Sequence, residues 1–119
     1  MVRANAVKTF GVQSAIDRRI TPYPLGRLDV GSEELVLRAW PGWRGETLSV
    51  PFAGVQRINI GHFLQYTVLT IDDVYSAFGN VRIQPGLSTR RLLREFERLG
   101  YPLHDTRKSR HNQPPSVDS

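Results

Sequence analysis

The sequence predicts an α+β, mainly β fold: about seven short antiparallel strands closing a sandwich or barrel, then one amphipathic helix that plugs its open end. Three observations carry this. From Leu25 to Ile83 apolar residues recur with a period of two, in short runs separated by Gly, Pro, Asn and Asp. Strands so short and closely spaced argue against a βαβ sheet. Between Ser88 and Leu99 the period changes, and Leu92, Leu93, Phe96 and Leu99 fall on one helical face.

Residues 1–24 carry no clear period. Val7, Phe10 and Val12 suit a short strand or an amphipathic turn, and Gly11 weakens both. Pro22 and Pro24 impose extended backbone and mark a boundary. This stretch is expected to be an N-terminal arm, either loosely docked or added as an edge strand. Next, Leu28 and Val30 alternate with Arg27 and Asp29, Gly31-Ser32 supplies a turn, and Leu35, Leu37 and Ala39 complete a hairpin. Pro41, Gly42 and Gly45 make a loop carrying Trp43.

Thr47–Phe52 is the third expected strand and Val55–Ile60 the fourth. Tyr66–Ile71, rich in β-branched and aromatic residues, is the fifth. Asp72 and Asp73 suit a turn before a sixth strand, Val74–Phe78, and Gly79-Asn80 reverses the chain into a seventh at Val81–Ile83. Ser88 is placed to N-cap the helix, Gly100 to take the left-handed conformation that ends it, and Pro102 to forbid continuation. A helix of about three turns is marginal in water, so its apolar stripe must lie on the strands. After Leu103 the chain turns polar and contains Pro-Pro. The expected division is therefore an arm (1–24), a folded domain (25–103) and a disordered basic, polar tail (104–119).

Composition narrows the chemistry. The chain has 119 residues, 39% hydrophobic and 23% charged, enough for one domain with a real core. It has no cysteine, which excludes disulfides, thiolate chemistry and Cys-based zinc sites. The net charge is +5, and every cation except Lys8 and Lys108 is Arg, the side chain that grips phosphate and carboxylate bidentately. No stretch approaches the ~20 apolar residues of a membrane span. The opening MVRANAVKTFGVQ lacks a continuous apolar region, so no signal peptide is expected and a cytoplasmic location is.

The strings LGRLDVGSEELVLRAW, ETLSVPFAGVQRINI, YTVLTID and NVRIQPG running into the helix resemble the bacterial pleckstrin-homology-like domains, including the GRAM type. The resemblance covers about Leu25–Leu103. It implies seven antiparallel strands in two nearly orthogonal sheets capped by a C-terminal helix, and a non-catalytic adaptor module for a protein, a peptide or an anionic lipid surface. Lipid-holding members usually place several Lys and Arg around the first hairpin loop. Here the loop taken as that one, Val30–Glu34, carries Glu33 and Glu34 instead, which disfavours a phosphate site there.

Candidate contact residues follow from charge and aromaticity. Arg90, Arg91, Arg94 and Arg98 lie on the helix, the last three on one stripe. Arg90 and Arg91 also occupy its first turn, where the macrodipole disfavours cations. The alternative is a solvated face partnered by Glu95 and Glu97. Trp40 and Trp43 bracket Pro41-Gly42, with Arg44 following, and the two tryptophans are candidates for a stacking platform, a peptide pocket or a membrane-inserting tip, Trp43 first because its neighbours are loop formers. The tail offers Arg107, Lys108 and Arg110 for polyanions. For catalysis, Asp72-Asp73 sits in an expected turn and the three His show no metal-ligand spacing. No phosphate-binding, dinucleotide-binding or nucleophile motif occurs. The expectation is no enzyme, no cofactor and no metal. The partners are a protein or peptide, an anionic membrane surface, a nucleic acid bound by the Arg stripe and tail, or further copies in an assembly.

Overall fold

The computed structural model describes residues 7–39 and 47–105. Strands β1 (Val7–Ile16), β2 (Arg19–Gly31), β3 (Glu34–Arg38), β4 (Thr47–Pro51), β5 (Val55–Phe63), β6 (Tyr66–Asp73) and β7 (Val81–Gln84) precede helix α1 (Thr89–Leu99) and a short β8 (Leu103–Asp105). They form one eight-stranded sheet in the order β4-β3-β2-β1-β7-β6-β5-β8. All pairs are antiparallel except β5–β8. The mainly β class with one late helix is thus the structure's. The expected pair of separate sheets is instead one continuous ladder, because β1 pairs with β2 along one edge and with β7 along the other.

The largest departure from expectation is at the start of the chain. Val7–Pro24, set apart as an arm, supplies β1 and the first part of β2, the longest strands of the sheet. Burial alternates along β1 from Phe10 onward, with Phe10, Val12 and Ile16 in the core. The two prolines that look like a boundary sit in an irregularity of β2. Pro22–Leu25 oppose Gln13 alone, between the pairs Val12–Gly26 and Ser14–Thr21. A bulge needs no ladder N–H from its extra residues, so proline is tolerated there. Gly11 belongs to the same device: a Cβ on it would come within 2.9 Å of Pro24 Cβ. The sheet's first hairpin consequently turns at Asp17-Arg18, and the acidic Glu33-Glu34 lies at the second, between β2 and β3.

The sixth expected strand is absent. Val74–Asn80 folds as turns because the Asp73 carboxylate accepts hydrogen bonds from the backbone N–H groups of Tyr75, Ala77 and Phe78, each at 3.1 Å. Four-residue wrapping around one side chain outcompetes extension. Phe78 is thereby delivered to the core.

Side chains of β1–β7 and α1 meet in one hydrophobic cluster, so the sheet curves around a single core that α1 covers through Leu92 and Phe96. The helix ends as expected. Gly100 has φ +86°, its N–H bonds to the Glu97 carbonyl at 3.1 Å, and the Tyr101 N–H reaches the Phe96 carbonyl at 3.0 Å. That double closure comes with its usual apolar contact, here the Phe96 and Tyr101 rings edge to face at 5.5 Å. The N-terminus does not behave as expected. Ser88 has helical dihedrals and caps nothing; its hydroxyl donates to the Gly11 carbonyl at 3.1 Å, tying the start of α1 to β1.

Candidate functional site

With Leu92 and Phe96 facing the core, helical geometry turns Arg91, Arg94 and Arg98 toward the N-terminal half of β1. Between them lies a groove of about 840 Å³, walled by Lys8–Gly11 on the strand side and the three arginines on the helix side. Ser88, Glu95 and Glu97 also line it. The predicted stripe is therefore gathered into one site, joined by a cation the sequence did not associate with it, Lys8. Arg90 is exposed but does not line the groove. Trp43, Arg44, Arg107, Lys108 and Arg110, with Trp40, lie outside the described residues.

Glu95 organises the charge. It is 4% exposed, and its carboxylate accepts two hydrogen bonds from Arg98 at 2.6 and 3.0 Å while Lys8 approaches to 3.3 Å. A buried carboxylate without partners would be costly, so these two cations, one from each wall, fix the width of the groove. Arg91 and Arg94 make no ion pair among the described residues and project as uncompensated charge. The first turn of α1 contains no acidic residue, so its positive end adds to the same field.

The Arg98 hydrogen bonds hold the Glu95 carboxyl below its ordinary value, against the opposing effect of burial and with help from Lys8. A lowered folded-state value means stability that is present above the unfolded value of 4.5 and lost as pH falls through the folded one. Urea midpoints of the wild type should therefore drop in the acid range below about 4.5. Those of Glu95→Gln should lack this component, so that the two converge as Glu95 becomes protonated. Parallel midpoints from neutral pH to acid would show that Glu95 does not carry this titration.

The strand wall has a further property. Over Val7–Val12, β1 pairs only with β2 among the described residues, because β7 reaches no further than Gln13. The Gly11 carbonyl points away from β2, since it accepts from Ser88. Residues of an antiparallel strand alternate in the edge they present, so the backbone groups of Thr9 turn to the same side as those of Gly11. The groove thus combines a cationic helix face with a stretch of sheet edge that no described strand covers.

Elsewhere, Asp72 is exposed and held below the ordinary carboxylate range, first by Asn59 and then by Arg57, with burial opposing. Asp73 is committed to its turn, so the adjacent carboxylates share no site. His62 Nε2 lies 3.3 Å from Asp105 across β5 and β8. Among the described residues no group of three or more His, Asp and Glu could hold a metal ion, and no helix is long and apolar enough to cross a membrane. What the described residues define is a mainly β fold with a cationic cleft beside its helix. Compared with known proteins, the chain matches no family model, no curated protein and no solved structure.

Proposed function

We propose that this chain is a cytoplasmic, non-catalytic adaptor of pleckstrin-homology-like type, and that the groove between β1 and α1 receives an acidic, extended segment of a partner protein. The strand order supports the fold reading: β1–β4 run as a meander and β5–β7 as a second, with the helix closing the core. One observation carries the ligand class, the juxtaposition of Arg91 and Arg94, which have no carboxylate partner among the described residues, with a stretch of β1 edge that no described strand covers. An added strand gains main-chain hydrogen bonds from the edge, and carboxylates on it gain charge-assisted ones from arginine. The basic nucleic-acid reading shares the arginines but makes no use of the edge.

The test is fluorescence anisotropy of a labelled peptide of alternating Glu and Val, with an oligothymidine strand as competitor, at low and moderate salt. Arg91→Ala with Arg94→Ala is expected to weaken peptide binding about tenfold, two exposed charge pairs being worth up to about 1 kcal/mol each. Amide exchange at Thr9 should slow when the peptide is bound. Preference for the oligothymidine strand, with a steep loss of affinity on adding salt, would instead make the groove a polyanion site.

A further inference from the structure

The groove between β1 and α1 has two unlike ends, and the difference bears on which part of a partner it takes. Two contacts align its walls. Ser88, just before the first turn of α1, donates to the Gly11 carbonyl, and Glu95, two turns further on, meets Lys8 at 3.3 Å. The helix therefore runs antiparallel to β1, from the Gly11 end to the Lys8 end.

At Gly11 the edge of β1 is closed from three sides. Ser88 holds its carbonyl from the helix side. In line with the slot stands β7, which pairs with β1 from Gln13 onward and continues into Pro85 and Gly86. Over the opposite face lies the bulge of β2. A Cβ on Gly11 would come within 2.9 Å of Pro24, and one on Gly86 within 3.0 Å of the Tyr23 ring. Tyr23 and Pro24 thus bridge from β2 to the turn before α1, across the end of the slot. A segment laid along this edge pairs with Val7 and Thr9 but must stop at Gly11, and the rest of it lies toward Lys8.

Charge divides along the same axis. Arg91 lies about one helical turn after Ser88, so it flanks the blind end, with no carboxylate partner among the described residues. Glu95 and Glu97 lie further along, toward Lys8, and there Lys8 and Arg98 are committed to Glu95. The Gly11 N–H turns to the same side as its carbonyl, away from β2, and gives the blind end a second donor. A chain that stops there presents either an α-ammonium or an α-carboxylate. The ammonium would meet Arg91 as a like charge and could not accept from the N–H, whereas the carboxylate accepts from both. With its C-terminus at Gly11, the segment runs parallel to β1. Arg94 stands about 4.5 Å further along the helix axis, a distance spanned by one to two residues of extended chain, so it faces a side chain just upstream.

We propose that the groove receives the free C-terminus of a partner protein, its α-carboxylate on Arg91 and the Gly11 N–H, and an acidic side chain close to that end on Arg94. This rests on the reading of the groove as a site for an acidic strand and narrows it. The test is fluorescence anisotropy of the full chain with N-terminally labelled peptides of alternating Glu and Val that end in Val. One carries a free carboxylate, one an amide, and one the amide with an extra Glu at the N-terminal end to restore net charge. The free acid is expected to bind about tenfold more tightly than the amide, the scale of a lost hydrogen-bonded charge pair. The charge-restored amide should not regain that affinity. Arg91 is exposed, so Arg91→Ala leaves the core intact; it should bind acid and amide alike. Arg94→Ala should weaken both and keep the difference between them. Equal affinities for acid and amide in wild type would overturn the C-terminal assignment while leaving the groove as a strand site. Recovery by the charge-restored amide would overturn it as well, since net charge alone would then be read, and so would a tenfold difference that survives in Arg91→Ala. Binding of none of the three peptides would remove the strand reading and this proposal with it.

Discussion

Phe96→Ala is expected to cost about 3–5 kcal/mol of folding stability, the range for removing a buried aromatic ring. Phe96 is fully buried, and its ring is one of three in a chain: edge to face with Tyr101 at 5.5 Å, which in turn meets Phe52 at 4.7 Å. The Tyr101 hydroxyl donates to the Gly31 carbonyl at 2.6 Å at the end of β2. Burial, with the charge of Glu34 adding to it, pushes that phenol up to about 12, so it stays protonated and remains a donor throughout the neutral range. The chain of contacts links α1, the segment after β4 and the β2–β3 turn. Deleting the Phe96 ring removes one end of this chain, strips Tyr101 of its helix-side packing and loosens the closure of the helix C-terminus. For a domain whose total stability is about 5–15 kcal/mol, that is a large fraction. Urea unfolding followed by circular dichroism measures it. Phe96→Leu should lose far less, since most of the volume is kept. A cost below about 1 kcal/mol for the alanine variant would mean that the helix is not docked through this face.

The same helix shows what a sequence can disclose. Its apolar stripe and its stop at Gly100 are local facts, written within a dozen residues, and the structure has both. The hairpin of β2 and β3 and the strands β4, β5, β6 and β7 were legible for the same reason, a period of two held over several residues. β1 was not, because Gly11 and the two prolines read locally as interruptions. Their meaning is relational: Gly11 is small because Pro24 lies against it, and the prolines are allowed because a bulge releases them from the ladder. The groove was half legible. Helical spacing put Arg91, Arg94 and Arg98 together, but Lys8 is more than eighty residues from them in the chain and only the sheet brings it near. Glu95 enters the sequence reading only as a partner on the alternative, solvated face; its place one residue before the core position Phe96 and three before Arg98 is the signal for a buried, paired carboxylate.

Asp73 gives the second large effect, and it separates two ways of building a loop. Three backbone N–H groups point at this one carboxylate, two to Oδ2 and one to Oδ1, and the Phe78 bond lies in buried surroundings. Val74 adds a backbone bond to the Gly54 carbonyl at 2.9 Å, and Ser76 bends back with φ +58°. In Asp73→Ala the donors of Tyr75 and Ala77 can turn to water, whereas that of Phe78 cannot without moving its ring. Hydrogen bonds to a charged acceptor are worth about 1.5–3 kcal/mol each, and partial solvation recovers some of that. The expected loss is therefore about 2–4 kcal/mol, with Asp73→Asn intermediate because one oxygen remains. If the carboxylate acts by seating Phe78, then Asp73→Ala and Phe78→Ala should be strongly non-additive, the double variant losing less than the sum. Strict additivity in that cycle would mean that the turn and the buried ring are independent. An Asp73→Ala loss below about 0.5 kcal/mol would mean that Phe78 packing alone shapes the loop. Coupling would instead explain why a stretch with strand-forming residues, Val74 to Phe78, never extends. A single carboxylate captures its amides before a neighbouring strand does.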